Sequence, residues 1–544
     1  MRWVVMATGT AMVTAMDMAT VTNRAKPRAV PLFHPLHMRL PLVAAMLACA
    51  SAAQGQSLGE APASGGSGPR FRPQLTVSQV WTDNLRTDGS AQASVSYGPK
   101  DAALVTTVSP GFSYSTNASG LRTSIDYSLS AIGYVKANAP SRLQNSLSAR
   151  GSIELIQQFL TVDATASAGQ QAASAFGTQS ADAGISAANR REVLNASISP
   201  TLRSHLGDFA DLLMRVEEQR TEVRGTGQGD GRGRTSMLRL DSRGSGAMRV
   251  FALISQRRGQ FQGALNSNVD SQTVGLNYRP DVDWTLSLNG GRERSDVVTA
   301  TAGTGSTWGT SANWAPDART QLNADWQKHA YGNTHTLSFE HRMRLVSFRF
   351  IDSAGLNQGY SGSGGRQTNF DLYYQLFASR EPDPLKRADY VRNYLQSMGL
   401  SADGVVGGGL LTTSPNRQRQ QQFGMTLLGV RSTLSLMVGR TQTQRVGPVA
   451  TGDLALSPDI AQRTYSISAA HKLTPTSSLS LTANRSSNQG QGVSQFTSLD
   501  SYMAGWSIQL GARANAQLGL RHSRSQGVFA YSENSVTASM TQQF

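Results

Sequence analysis

Six histidines lie beyond residue 53: His205, His329, His335, His341, His471 and His522. A zinc hydrolase would pair two of them as His-Glu-x-x-His, one helical turn apart, with the glutamate as base. That spacing is absent, and the single cysteine, Cys49, offers no thiolate set for a metal centre. Gly404-Val405-Val406-Gly407-Gly408-Gly409 lacks the Gly-Lys-Ser/Thr that cradles phosphates and reads as a flexible loop. No Gly-x-Ser-x-Gly elbow is evident. The sequence therefore names no catalytic, cofactor-binding or metal residue, and the chain reads as a non-enzyme. A hydrolase site assembled from distant residues would show itself as His, Ser and Asp clustered near one rim of the fold.

Arginine is the other chemistry-bearing type. The chain of 544 residues has a formal net charge of +15, and beyond residue 53 its only lysines are Lys100, Lys136, Lys328, Lys386 and Lys472. An Arg-bearing lumen or rim suits anionic polysaccharide or lipid phosphate, because the guanidinium binds such groups bidentately. The alternative is base composition plus arginines snorkelling at a membrane interface. Nothing in the chain points to nucleic acid.

The elements that position these residues are strands. Charged residues make up 16% and hydrophobic residues 39%, with 53 glycines. An average soluble chain carries about 25% charge, so composition leaves a low-complexity chain or a barrel with one apolar and one polar face. Periodicity selects the barrel. Leu121, Ile125, Tyr127, Leu129 and Ala131 alternate with Arg122, Ser124, Asp126, Ser128 and Ser130. Leu160, Val162, Ala164 and Ala166 alternate with Thr161, Asp163, Thr165 and Ser167, and Tyr502, Ala504, Trp506, Ile508 and Leu510 alternate with polar or small residues. Such strands separate an apolar medium from a polar one. Many exceed the usual globular strand and match the roughly 9–11 residues of a tilted membrane strand.

Short turns at 279–282, 315–318 and 474–477 contrast with long Gly- and Ser-rich connections at 83–101, 169–190, 225–234 and 487–498. Short periplasmic turns and longer outer loops are the barrel asymmetry. The expected fold is all-β, an antiparallel transmembrane barrel of about 22 strands, give or take four, over 71–544 in the bacterial outer membrane. An insertion at 353–419 interrupts it. Within the insertion, 383–399 reads as a helix: Asp383 caps it, Pro384 suits its first turn and Gly399 ends it. It could plug the lumen, cover a mouth or decorate a loop.

Upstream, 1–52 is an export region. Arg39, the apolar run Leu40–Ala48 and the small-x-small site Ala50-Ser51-Ala52 form a signal peptide over about 38–52, cleaved after Ala52. Met46-Leu47-Ala48-Cys49 is a poorer match to a lipoprotein signal. Met38 could be the true start. Residues 53–70 are a flexible leader. Strands starting near Leu75 leave no space for the N-terminal plug of a TonB-type importer.

At the other end Val536, Ala538, Met540, Gln542 and Phe544 share one face. A final amphipathic strand with a terminal aromatic resembles the signal read by the barrel-assembly machinery, carried by Val536, Ala538, Met540 and Phe544. Gln542 departs from that pattern.

Three stretches together resemble the PEP-CTERM system-associated outer-membrane proteins. They are Val77-Ser78-Gln79-Val80-Trp81-Thr82-Asp83-Asn84 with Val108-Ser109-Pro110-Gly111, then Asp383-Pro384 through Arg392 to Gly399-Leu400, and Leu428-Gly429-Val430-Arg431-Ser432-Thr433-Leu434-Ser435-Leu436. The resemblance spans most of 71–544. It implies an exopolysaccharide and exosortase context and supplies no catalytic residues. The function expected is a conduit or accessory for exopolysaccharide export or surface assembly. The alternative is a non-conducting barrel that presents loops, with a barrel hydrolase third. The partners expected are the lipid bilayer and lipopolysaccharide, the barrel-assembly machinery, and an anionic polysaccharide.

Overall fold

The computed structural model describes residues 69–85, 102–135, 140–182, 189–225, 229–244, 246–261, 266–297, 303–357, 369–379, 381, 384–397, 415–446, 452–491, 495–527 and 530–544. The signal-cleavage residues Ala50 and Ala52, the leader up to residue 68 and Gly404–Gly409 lie outside them, and Arg70, expected in the leader, opens the first strand.

One antiparallel sheet of 22 strands runs around the molecule. Its strands are β1 (Arg70–Thr82), β2 (Ala103–Ala118), β3 (Leu121–Val135), β4 (Arg142–Ile156), β5 (Leu160–Ala172), β6 (Arg190–Leu206), β7 (Ala210–Val223) and β8 (Gly231–Ser242). Next come β9 (Met248–Phe261), β10 (Ser267–Tyr278), β11 (Trp284–Ser295), β12 (Gly303–Asp317), β13 (Thr320–His329), β14 (Gly332–Arg342) and β15 (Val346–Asn357). The last are β16 (Asn416–Leu428), β17 (Ser432–Arg445), β18 (Asp459–Lys472), β19 (Ser477–Gln489), β20 (Phe496–Gln509), β21 (Ala514–Gly527) and β22 (Tyr531–Gln543). Each strand pairs with its sequence neighbours, and β1 pairs with β22 from Gln74↔Gln543 to Thr82↔Ser535. That last pairing closes the barrel and leaves no sheet edge.

Alternation sets which face each side chain takes. On β22, Val536, Ala538, Met540 and the terminal Phe544 face outward, while Glu533, Ser535 and Thr541 are buried on the lumen side. Outward apolar residues stack across strands, as in Val77↔Met540 and Trp81↔Val536. Aromatic pairs gird the outer face near the end where β1 starts and β22 stops: Phe71 and Phe112 lie 5.5 Å apart, and Trp284 and Trp314 stack at 5.7 Å. An outward apolar belt with aromatic rims, on a closed sheet, defines a transmembrane β-barrel of the bacterial outer membrane.

The connections at the end where β1 starts and β22 stops are two to five residues long; the turns expected at 279–282 and 474–477 fall there, and the one expected at 315–318 tightens to 318–319 because β12 runs to Asp317. By the usual asymmetry that end is periplasmic. The insertion leaves from the opposite end. It is narrower than 353–419, because β15 runs to Asn357 and β16 begins at Asn416. Outward Ala354 and Leu356, opposite Arg419 and Arg417, continue the strand period into what reads as polar loop. The loop ranges shrink for the same reason, with β5 reaching Ala172 and β19 reaching Gln489. The lumen is also not uniformly polar. Val80, Val105 and Ile132 face inward and pack with Leu85 and Ala103.

Face assignment yields a direct test on β11, where adjacent residues point opposite ways. Leu288→Arg should cost about 2–4 kcal/mol of folding free energy in lipid vesicles. Ser287→Arg, on the lumen face, should cost under about 1 kcal/mol by the same depth-dependent logic. Reversible unfolding followed by tryptophan emission reads both.

Candidate functional site in the lumen

Two helices of the insertion form the largest apolar cluster among the described residues. Helix α1 (Asn369–Leu376) places Leu372, Tyr373 and Leu376 on one face and continues into a 3-10 turn at Phe377–Ser379. Helix α2 (Pro384–Ser397) places Val391, Tyr394 and Leu395 on one face. These spacings are helical, so each helix offers a single apolar stripe. The stripes meet around Phe377, which is fully buried with Tyr390 and Tyr394 edge-on at 5.1 and 4.9 Å. Burying such side chains stabilises by about 1.5–3 kcal/mol each.

Sequence reading anticipates α2 over 383–399 but not α1. Its residues, Asn-Phe-Asp-Leu-Tyr-Tyr-Gln-Leu, are aromatic enough to pass for another strand.

The helices lie inside the barrel. Their cluster includes Leu428, with Met437 and Ala470 packed against it, all on the lumen faces of β16–β18. Gly424 faces α1, and a side chain there would meet Leu372 and Leu376. Tyr394 lies within hydrogen-bonding distance of both Ser435 and Ser468 at 3.3 Å, and Tyr373 lies 3.4 Å from Ser468. Burial pushes both tyrosine hydroxyls above their ordinary range, so they stay protonated as potential donors.

On another sector of the wall, Arg392 donates to both carboxylate oxygens of Asp126 on β3 at 3.0 Å. Arg150 on β4 donates to Asp371 of α1 at 2.7 Å. The hairpin thus braces the β16–β18 wall against the β3–β4 wall. Ser435 and Ser468 stand only a few residues from the periplasmic turns at 429–431 and 473–476. An insertion that departs at the outer end therefore reaches down to the periplasmic half of the lumen.

A second inward element crosses nearer the outer end. The connection after β5 packs Ala175 and Phe176 against Leu454, of the short helix α3 (Asp453–Leu456), and against Ile460. Asp453 accepts the Ala175 N–H at 2.6 Å and the Ser174 hydroxyl at 2.9 Å. Burial raises the Asp453 carboxyl, and those hydrogen bonds oppose the shift. Asn488 donates to the Ala175 carbonyl at 2.7 Å, and Tyr531 to that of Gln179 at 2.5 Å. Arg521 bridges Asp182 at 3.2 Å and the buried Glu533 at 3.1 Å. This segment ties the β5–β6 side to the β18–β22 wall.

The histidines serve as local partners. His205 meets Asp211, His335 meets Asp352, and His341, His471 and His522 meet Thr320, Ser432 and Asn534. One acid–imidazole–hydroxyl series stands at the outer rim: Glu293 to His329 at 2.6 Å and His329 to Thr334 at 3.2 Å. The second Glu293 oxygen accepts the Ala330 N–H at 3.0 Å, and Tyr331 stacks on the imidazole at 4.7 Å. Glu293 thus clasps the two-residue connection between β13 and β14. Among the described residues no group of three or more His, Cys, Asp or Glu could hold a metal.

No protein-family model matches the chain, and no curated protein matches it in sequence. Among solved structures it is similar to the FrpB iron transporter from Neisseria meningitidis in its apoprotein form. Identity is 9% over 87% of this chain and 81% of that one, with a TM-score of 0.45. The siderophore receptor PirA from Acinetobacter baumannii gives 9% identity over 87% and 80%, with a TM-score of 0.42. The outer membrane protein opdK from Pseudomonas aeruginosa gives 7% over 87% and 99%, with a TM-score of 0.31.

The braces predict how the hairpin loosens. Phe377→Ala should remove about 3–5 kcal/mol from its packing. Hydrogen exchange over 369–397 should accelerate while the strands stay protected. A double-mutant cycle between Arg392 and Asp126, read by the same exchange, should give a coupling of about 1 kcal/mol or less.

Proposed function

We propose that this chain is a gated conduit or accessory for exopolysaccharide export or surface assembly, in a PEP-CTERM and exosortase context. The observation that carries the gating is the hairpin α1–α2 lodged across the lumen and held by the pairs Arg392–Asp126 and Arg150–Asp371. Ion pairs at partly wet positions are weak individually. The described attachments to the wall include these pairs, the hydroxyls of Tyr373 and Tyr394 and apolar contact with Leu428, Met437 and Ala470, and none of them belongs to the strand ladder, so the hairpin can be displaced without unfolding the barrel. The lumen face of β16–β18 supports a hydroxyl-rich polymer. Gln418 and Gln420 stay partly exposed on it, and such side-chain amides substitute for water around sugars.

Charge enters this reading less than composition suggests. Several lumen arginines are neutralised on the wall itself, as in Arg215–Glu217 and Arg239–Asp241. Passage then rests on hydrogen bonding more than on attraction of an acidic chain. The apolar packing under Phe377 favours a second reading, in which the hairpin is a permanent brace and the barrel presents its outer loops. We also read Val536, Ala538, Met540 and Phe544 as the barrel-assembly signal.

Planar-bilayer conductance separates the readings. The native barrel should conduct weakly, and replacing 358–415 by a short Gly-Ser turn should open a stable large pore. A deletion variant that folds, by heat-modifiable mobility, yet stays closed contradicts the conduit. Removing Phe544 should lower the amount of heat-modifiable barrel in outer-membrane fractions several-fold; an unchanged amount contradicts the assembly role.

A further inference from the structure

The periplasmic rim is charged unevenly around the barrel. From β6 to β15 cations and carboxylates mix. Asp208, Asp281 and Asp317 lie in or beside the turns there, and Arg243 and Arg342 lie 3.3 and 3.5 Å from Asp211 and Glu340. From the β16–β17 turn round to β1 the pattern changes. Arg431 stands in turn 429–431, Lys472 ends β18, Arg513 stands in turn 510–513, and Arg70 opens β1. None of the rim stretches 427–436, 467–482, 504–521, 536–544 and 70–78 contains Asp or Glu. Arg431, Lys472 and Arg513 are exposed, and among the described residues neither they nor Arg70 meet a carboxylate at ion-pair distance.

These cations follow the rim as a band. The Lys472 N–H donates to the Arg431 carbonyl at 2.8 Å, the Gln509 N–H to Thr476, the Gln543 N–H to Arg513 and the Phe544 N–H to Pro73. From β17 to β1 the band crosses six strand spacings, about 29 Å in all. That width suits a standard protein interface of about 800 Å² per partner. Arg431 and Lys472 are neighbours of like charge, and an acidic surface laid on them relieves their repulsion.

Two other anions fit less well. Phospholipid surrounds every strand, whereas this band occupies one sector, and Lys472 and Arg70 hold lumen-facing positions turned away from lipid. An acidic polymer passing through would need cations continuing upward. The lumen faces of β17–β22 instead carry mainly Ser, Thr, Gly and Met above the band, and the next cation, Arg521, is already held by Asp182 and Glu533.

We propose that the periplasmic rim from Arg431 to Arg70 is a docking surface for the acidic face of a periplasmic protein. Ser435 and Ser468, which meet the hairpin tyrosines, stand four residues above Arg431 and Lys472, about 13 Å along the strands. A docked partner therefore lies beneath the wall that holds the hairpin. Docking requires no conduction, so its failure leaves the conduit reading standing.

Photo-crosslinking of the full-length protein in the cells that make it tests this, with a benzophenone amino acid placed at Val430 or at Val282. Both are turn residues at the periplasmic end, 91% and 100% exposed, and Val282 lies in the mixed half. Val430 should give a discrete protein adduct at least tenfold more abundant than any from Val282, and the captured protein should carry a net negative charge. R431Q/K472Q/R513Q should reduce the adduct at least tenfold and R431K/K472R/R513K should retain it, with heat-modifiable mobility confirming that each variant folds. Adducts to phospholipid or polysaccharide alone, equal yields from the two positions, a captured protein of neutral or basic charge, or a folded Gln variant with unchanged yield would overturn the assignment.

Discussion

Every backbone N–H and C=O that meets lipid must find its partner within the protein, since hydrocarbon offers none. In this chain the requirement converges on one seam, where β1 meets β22. Thr76 and Thr541 hydroxyls sit 2.9 Å apart on its lumen side. Toward the outer end the Asp83 N–H donates to the Asn534 carbonyl, while the Asn534 N–H donates to Asp83 Oδ1 at 2.7 Å. At the other end the N–H of Phe544 donates to the Pro73 carbonyl at 2.9 Å. The last residue is thus both an outward aromatic and the final rung of the closing ladder.

Closure with 22 strands has a consequence. A barrel of that size encloses more space than its own inward side chains fill. Here part of it is taken by a pair of helices with a core of their own. Their packing follows the rules of a soluble helical hairpin, yet their polar attachments are to strand residues on two sectors of the wall. The same chain segment therefore contributes compactness to the lumen and remains separable from the membrane-facing sheet. Because the hairpin takes no part in the lipid-facing ladder, its deletion leaves that ladder's pairings intact.

Much of this was legible in the residues and some was not. The faces of β3, β5, β20 and β22 follow from strict alternation, because a one-residue slip would place Ser and Asp in lipid. Helix α2 is marked by Pro384 and by helical apolar spacing. Helix α1 is hidden, because Phe370, Tyr373, Tyr374 and Phe377 are as much at home in a strand as in a helix. Nor could local spacing show where the insertion goes: Arg392 and Asp126 are 266 positions apart, and only the barrel's curvature brings them together. The Glu293–His329–Thr334 series is equally non-local. The arginines were visible as a composition bias, and their sorting between lumen and exterior depends on strand register. Once that register is set, each outward arginine sits on the outer side of an apolar run, a pattern repeated on β9, β11, β17 and β21.

Closure itself can be measured most directly at the seam. Cys49, the only cysteine, precedes the barrel. A Thr76→Cys/Thr541→Cys protein lacking it, folded into vesicles and oxidised, should form an intramolecular disulfide in high yield. Heat-denatured, it should migrate as a covalently closed loop distinct from its reduced form. The single variants should stay free. Failure of the double variant to cross-link while its folded mobility is native would contradict a barrel sealed between its first and last strands.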